Sequence, residues 1–291
     1  MHRATLRDMV GRKTLKSGTL VWEFAVPGIG HMLAAGGSEF VFLDTEHSGL
    51  GIDTLKQTLR YLEAASMPAL VRPPGRSYEN IARALDAGAE GLILPMVGSG
   101  EEARRIVQCA KYAPMGARGV ALGIAHDRYT SGPVAAKLAE ANARTVLFAL
   151  VETREGVENV EDIASVDGID GLWIGHLDLS TSLGIPGQFD HTDYLAALDR
   201  VVKAANENGK SLGRVVDTDD LHAKSRGDVI AQHGHTHGCE RRANSIAVDV
   251  SLVIADREKA RCLEPGDRRE FRGGDIAQID DVTGDEHQIG L

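Results

Sequence analysis

Eight short runs rich in apolar and β-branched residues punctuate this chain, at residues 19–26, 40–45, 69–72, 91–96, 146–151, 171–174, 211–216 and 245–250. Between them lie longer stretches with apolar residues at helical spacing, among them 52–65, 78–87, 101–112, 157–165 and 194–208, several closed by glycine as helix C-termini are. Strand-length and helix-length segments in alternation describe parallel βαβ units rather than hairpins or helical bundles. Eight such units predict an α/β fold closed into a (β/α)8 TIM barrel; a doubly wound open sheet is the competing architecture, because strand count alone does not prove closure. No Gly-x-Gly-x-x-Gly follows the first strand to favour the open sheet. In both architectures ligands meet the C-terminal ends of the strands, so the residues there carry the functional reading.

The chain has 291 residues, within the range of single barrels, and its 43% hydrophobic and 25% charged residues supply one core and a solvated surface. The formal net charge of −10 repels a phosphate backbone, and no Lys/Arg-rich stripe with interleaved aromatics offsets it, which argues against nucleic acid as a partner. No run reaches the roughly 20 apolar residues that cross a bilayer. The N-terminal sequence has no apolar stretch of signal-peptide length. Cys109, Cys239 and Cys262 are far apart with no CxxC pair, so neither a disulfide framework nor a thiolate zinc site is expected. The expectation is a cytoplasmic chain without membrane association.

Some regions depart from the repeat. Residues 113–144 are too long for a simple connection and contain Gly116, Gly119, Gly123 and Gly132, which fits either a lid over the barrel mouth or an ordinary long surface loop. Beyond Asp220 the seventh helix is replaced by a stretch without a clear apolar face, so the C-terminal region is atypical for the fold. From Pro265 the sequence is polar, acidic and Gly-rich; the barrel domain is expected to span residues 1–264 and residues 265–291 to form a poorly ordered tail. The run His233-Gly234-His235-Thr236-His237-Gly238-Cys239 has ligand-type side chains but no surrounding pattern to orient them, and is read mainly as adventitious.

The second strand ends in Leu43-Asp44-Thr45-Glu46-His47-Ser48-Gly49, three ionisable side chains where a barrel strand opens to solvent. A histidine beside a carboxylate is held in one tautomer and tuned to accept a proton near neutral pH, which makes His47 the general acid/base candidate. The bland alternative has His47 capping the next helix and Asp44 pairing with a nearby arginine. The third strand ends in Arg72-Pro73-Pro74, where two prolines stiffen the backbone after a guanidinium. Its planar, permanent charge suits a carboxylate or a developing enolate oxygen, or forms a plain salt bridge. The fifth strand ends in Val151-Glu152-Thr153 and the sixth in Ile174-Gly175-His176-Leu177-Asp178. A hard cation such as Mg2+ takes one or two carboxylates plus water and the oxygens of a 2-oxo acid, so Glu152 and Asp178 are the candidate metal ligands. Gly175 lets a substrate carboxylate approach the backbone N–H groups that follow it, Leu177 among them.

Taken together and in order, LDTEHSG, LVRPPG, ALDAGAEGLILPMV, YAPMGARGV, LVETREGVENVEDI and GIDGLWIGHLDLS resemble the HpcH/HpaI aldolase family, which includes 4-hydroxy-2-oxoheptanedioate aldolase and 2-dehydro-3-deoxyglucarate aldolase. The resemblance runs from about Gly18 to Gly213. It implies a (β/α)8 barrel, generally a homo-hexamer whose last helix is exchanged between neighbours, and a divalent metal cation, Mg2+ or Mn2+ with Co2+ as a further possibility. It implies Glu152 and Asp178 as the metal ligands, His47 as the residue that moves the proton, Asp86 as the acidic partner of that histidine, Arg72 as the arginine that steadies the enolate, and Asp44 in the hydrogen-bond network. Asp86 rests on the resemblance alone. The implied reaction is a class II retro-aldol cleavage of a 4-hydroxy-2-oxo acid to pyruvate and an aldehyde through a metal-bound enolate, with no lysine Schiff base.

Two departures from the family pattern bear on activity. Leu150 stands where the family usually has Gln, and His176-Leu177 stands where Pro-Ala or Pro-Asn usually precedes the metal aspartate. The altered C-terminal region bears on assembly. Two further readings stay open: a citrate lyase β-subunit or malyl-CoA lyase type of enzyme acting on acyl-CoA thioesters, and a catalytically impaired barrel that binds 2-oxo acids.

Overall fold

The computed structural model describes residues 5–10, 16–216 and 251–255. The expected eighth strand at 245–250, the replaced seventh helix, the histidine run at 233–239 and the tail from Pro265 lie outside the described residues. Seven parallel strands, β1 (Lys16–Val21), β2 (Phe40–Asp44), β3 (Ala69–Arg72), β4 (Gly91–Leu94), β5 (Val146–Val151), β6 (Gly171–Ile174) and β7 (Ser211–Val216), pair in sequence order as a curled sheet of TIM-barrel-like form. An eighth strand, β8 (Ser251–Ala255), pairs antiparallel with both β7 and β1 and closes the ring. The closing strand runs antiparallel, where an eighth βα unit would supply a parallel one. An antiparallel closing strand enters from the edge at which β7 leaves, whereas a parallel one enters from the opposite edge after a crossover.

The main connections are helical: α2 (Ile29–Ala35), α3 (Ile52–Ala64), α4 (Tyr78–Asp86), α5 (Gly100–Ala110), α6 (Val134–Arg144), α7 (Arg154–Glu158), α8 (Val160–Ser165), α9 (His176–Ser182) and α10 (Thr192–Asn208), with α1 (Leu6–Met9) preceding β1. Their ends follow local chemistry. Ser99 accepts the Glu102 N–H at 3.2 Å to start α5, and α10 stops at Gly209, whose φ of 69° favours glycine.

Alternate strand residues face opposite sides of the sheet. Leu20, Phe40, Phe42, Leu70, Ile93, Phe148, Leu150 and Trp173 fill the interior, with Leu6 and Met9 of α1 joining them. Trp173 meets Phe42 and Phe148 edge-on, at centroid distances of 5.8 and 5.6 Å, contacts worth about 0.5–1.5 kcal/mol each beyond the burial itself. The opposite faces, including Val41, Leu43, Leu92, Leu94, Leu147 and Leu172, pack under the helices. Glycine makes room inside: a Cβ on Gly213 would come within 2.2 Å of the Trp173 ring. The two-residue period has a functional consequence. One step along the inner face beyond Phe42, Leu70 and Leu150 come Asp44, Arg72 and Glu152, a polar layer on an apolar one.

Residues 113–144 are rooted where the strands begin and run along α4, where the Gly119 N–H donates to the Tyr78 hydroxyl at 2.9 Å. They leave α5 and lead into β5, so both ends lie where the strands begin. The buried Lys111 side chain donates to the carbonyls of Asn142 and Thr145 at 2.7 and 2.6 Å, and the Asn142 amide bonds the Tyr112 backbone in both directions. The segment is tied at that edge and carries α6. Among the described residues no helix is long and apolar enough to cross a membrane.

Candidate active site

The C-terminal end of β2 turns sharply on its own aspartate. The Asp44 carboxylate accepts the Glu46 N–H at 3.0 Å, and the Ser48 hydroxyl donates to the Asp44 carbonyl at 2.6 Å, an Asx-type turn that exposes the next side chains. Arg72, at the end of β3 beside it, donates from Nε and Nη2 to the two oxygens of Asp44 at 2.9 and 2.6 Å. Burial alone would raise the Asp44 carboxyl, but the hydrogen bonds and charge of Arg72 and the N–H groups of Glu46 and His47 outweigh it and hold the group below the usual carboxylate range. The salt-bridge alternative for Asp44 and Arg72 is thus what the structure contains. It leaves Arg72 Nη1 without a hydrogen bond among the described residues.

His47 is not the cap of the next helix; Gly51 occupies that position. Its side chain is 60% exposed, with Nε2 at 3.6 Å from Oε2 of Glu46. The same glutamate oxygen lies 3.3 Å from Arg72 Nε. The carboxylate beside His47 is therefore Glu46, because both oxygens of Asp44 are taken by the arginine fork. Burial, reinforced by the charges of Asp44 and Asp178, pushes the Glu46 carboxyl up against the opposing pull of Arg72 and His47.

Glu152 follows β5 on the inner face and is 3% exposed. Its Oε1 accepts the Met96 N–H at 2.7 Å. A Cβ on Gly175 would come within 2.5 Å of its Oε2, so only glycine after β6 leaves this carboxylate its space. Burial pushes the Glu152 carboxyl up to about 7; the Met96 N–H and Arg72 oppose the rise, and the negative charges of Asp178 and Glu46 add to it. Asp178 lies in the first turn of α9, exposed. Leu177 beside it is 60% exposed, and the His176 ring packs edge-on against Phe189.

Asp86 is not brought to His47 within the chain. It ends α4, which runs back from the end of β3 to the start of β4, so Asp86 sits at the edge where the strands begin. There it pairs with the buried guanidinium of Arg118. A helix between parallel strands reverses direction, and its last residue lies a full strand length from the strand C-termini.

Two residues of the cluster went unassigned at the level of sequence. Glu46 stands in the LDTEHSG motif as the third ionisable group, a signal that was present; Met96 contributes only its backbone and gives none. Among the described residues no three His, Cys, Asp or Glu side chains form a complete ligand group. Two carboxylates suffice for a hard cation that keeps water and substrate oxygens as its other ligands. A carboxyl raised by burial first and by its acidic neighbours in addition, in a cradle that a Cβ would fill, fits such an ion. A cavity of about 200 Å3 among His126, Arg128, Lys137 and Arg144 lies in the inserted segment, apart from these carboxylates.

A model of the HpcH/HpaI aldolase/citrate lyase family matches residues 27–240. The hydroxypyruvate/pyruvate aldolase of Sagittula stellata is 38% identical over 175 residues, 60% of this chain and 68% of that protein. The solved HpcH/HpaI aldolase from Desulfitobacterium hafniense matches with a TM-score of 0.67 at 30% identity, covering 72% of this chain and 83% of that one. The solved citrate synthase SbnG matches with a TM-score of 0.62 at 30% identity, covering 73% and 82%.

Proposed function

Because this chain belongs to the HpcH/HpaI aldolase/citrate lyase family, with carbon–carbon lyases named aldolases among its relatives, we propose that it reversibly cleaves a 4-hydroxy-2-oxo acid to pyruvate and an aldehyde, using a divalent cation. In this reading the curled sheet is a (β/α)8 TIM barrel with an atypical eighth unit, and the polar layer at its strand ends is the active site. The observation that carries the reading is the grouping of Glu152, Asp178 and Glu46 beside the Arg72–Asp44 pair, where burial raises the Glu152 carboxyl and the charges of Asp178 and Glu46 add to the rise. Like charges held together in a partly dry site call for a proton or a cation.

Glu152 and Asp178 would hold the cation, Mg2+, Mn2+ or Co2+. Such an ion supplies Lewis-acid polarisation of the 2-oxo group. The protein residues do the rest. Asp44 holds Arg72 rigid, so that Nη1 faces the C2 oxygen where negative charge develops. His47 Nε2 takes the proton of the C4 hydroxyl; the C3–C4 bond breaks, its electron pair passes toward the C2 oxygen as the enolate of pyruvate, and the aldehyde leaves with C4. Return of that proton to C3 completes pyruvate. Gly175 and the backbone of Leu177 receive the substrate carboxylate. The partners in this reading are the 2-oxo acid, the aldehyde and further copies of the chain in a homo-oligomer, a hexamer by resemblance.

The test is pyruvate release from 4-hydroxy-2-oxo acids of graded length by the full chain, with Mg2+ or Mn2+, with chelator, and in His47→Ala and Glu152→Ala variants. Metal-dependent release lost in both variants supports the aldolase. The citrate lyase side of the matched family favours a second reading, lyase chemistry on an acyl-CoA thioester, which dependence of turnover on CoA thioester identifies. Leu150 completes the apolar interior where the family usually has Gln; binding of pyruvate or oxalate without turnover of any substrate would replace the aldolase by a binding barrel.

A further inference from the structure

Met96, just beyond β4, has φ 57°, a left-handed backbone that disfavours residues with a side chain. Its neighbours are pinned on both sides. The Pro95 carbonyl accepts from Arg76 Nη1 at 3.1 Å, and the Val97 N–H donates to the Leu150 carbonyl at 3.1 Å. The Gly98 N–H donates to Glu102 at 2.8 Å, and its carbonyl accepts from the Asn159 amide at 2.8 Å. A strained conformation persists where its surroundings over-determine it, and such strain gathers at functional sites. The Met96 side chain is half exposed. What the strain produces is the direction of one N–H, which meets Oε1 of Glu152 at 2.7 Å. Gly175 bounds the other oxygen of the same carboxylate.

We propose that Met96 is a positioning residue, whose left-handed backbone fixes the Glu152 carboxylate in the orientation that receives a divalent cation. The proposal rests on the reading of Glu152 as a cation ligand. With an extended backbone at position 96 the N–H turns away, Oε1 regains rotational freedom, and the cation must order the carboxylate as it binds.

The test is Mn2+ binding to the full chain, read from the electron paramagnetic resonance of free Mn2+, in wild type, Glu152→Gln, Met96→Val, Met96→Leu and Met96→Gly, with thermal melts to establish that each variant is folded. Valine, β-branched and most opposed to the left-handed region, should weaken Mn2+ binding by about tenfold. Glycine, which adopts that region freely and has no side chain, should recover wild-type affinity to within about threefold. Leucine should do the same, since it meets the same backbone constraint as methionine. Equal affinities in Met96→Val and wild type overturn the proposal, and so does a glycine variant as weak as valine, which would assign the effect to the side chain. If valine fails to fold, Met96→Thr, also β-branched and opposed to the left-handed region, takes its place under the same expectation, and wild-type affinity in it overturns the proposal. Wild-type chain showing no Glu152-dependent Mn2+ binding removes the cation reading itself, and the proposal with it, an outcome distinct from the loss of positioning alone.

Discussion

The two oxygens of Asp44 accept from Nε and Nη2 of Arg72 at 2.9 and 2.6 Å, and the Asp44 side chain is 0% exposed. The pair joins the ends of β2 and β3 and fixes the guanidinium that faces the proposed reaction. Removing one partner of a buried pair strands the other charge, at a cost of about 3–5 kcal/mol; Glu46 near Arg72 Nε places Asp44→Ala toward the low end. Denaturant unfolding of Asp44→Ala and Asp44→Asn checks this. The asparagine variant should lose less, because it keeps one acceptor oxygen.

Glu152 sets the pH dependence. Its folded-state carboxyl holds a proton up to about 7, against 4.5 for an ordinary glutamate. Between these values the folded state binds protons that the unfolded state has released, so stability falls as pH rises, by on the order of 3 kcal/mol in total. The contribution is fully present below the unfolded value and lost above about 7. A divalent cation reverses the trend, because it binds the ionised carboxylate: Mg2+ affinity should rise with pH and level off above about 7. Denaturation from about pH 5 to 8, with and without Mg2+, measures both effects, and Glu152→Gln should flatten both.

His47 should separate chemistry from structure. With its side chain 60% exposed, His47→Ala should leave the melting temperature and Mn2+ affinity near wild type while lowering kcat by about 10²–10⁴-fold. A large drop in melting temperature would instead assign His47 a structural role.

Asp86 should behave as a structural residue of the single chain. Arg118 is buried, lies 4.7 Å over the Tyr112 ring and pairs with Asp86, which is about one-third exposed. Asp86→Asn should cost about 1–2 kcal/mol, discounted for that exposure, and an Asp86/Arg118 double-mutant cycle should recover most of the loss as pair coupling.

Much of the fold could be read from period alone. The expected segments at 69–72, 146–151, 171–174 and 211–216 coincide with β3, β5, β6 and β7, because a buried parallel strand is a short apolar run whatever its neighbours. The same period put Asp44, Arg72 and Glu152 on one face, so most of the site was visible as residue types at strand ends. What escaped depended on three dimensions. The choice between Asp44 and Glu46 as the carboxylate beside His47 follows from which of them Arg72 reaches across to β2. The side of the sheet taken by residues 113–144 follows from the bonds of Lys111 and Asn142. Met96 acts through its main chain, which leaves no mark on side-chain chemistry.

In the proposed function the cluster at the strand ends forms the enolate of pyruvate with a cation held by Glu152. Proton NMR of pyruvate in D2O tests it without any choice of aldehyde. The full chain with Mg2+ should exchange the C3 methyl protons for deuterium, chelator should stop the exchange, and Glu152→Gln and His47→Ala should each reduce it by at least about 10²-fold. Exchange that persists with chelator, or that survives in Glu152→Gln, would contradict it.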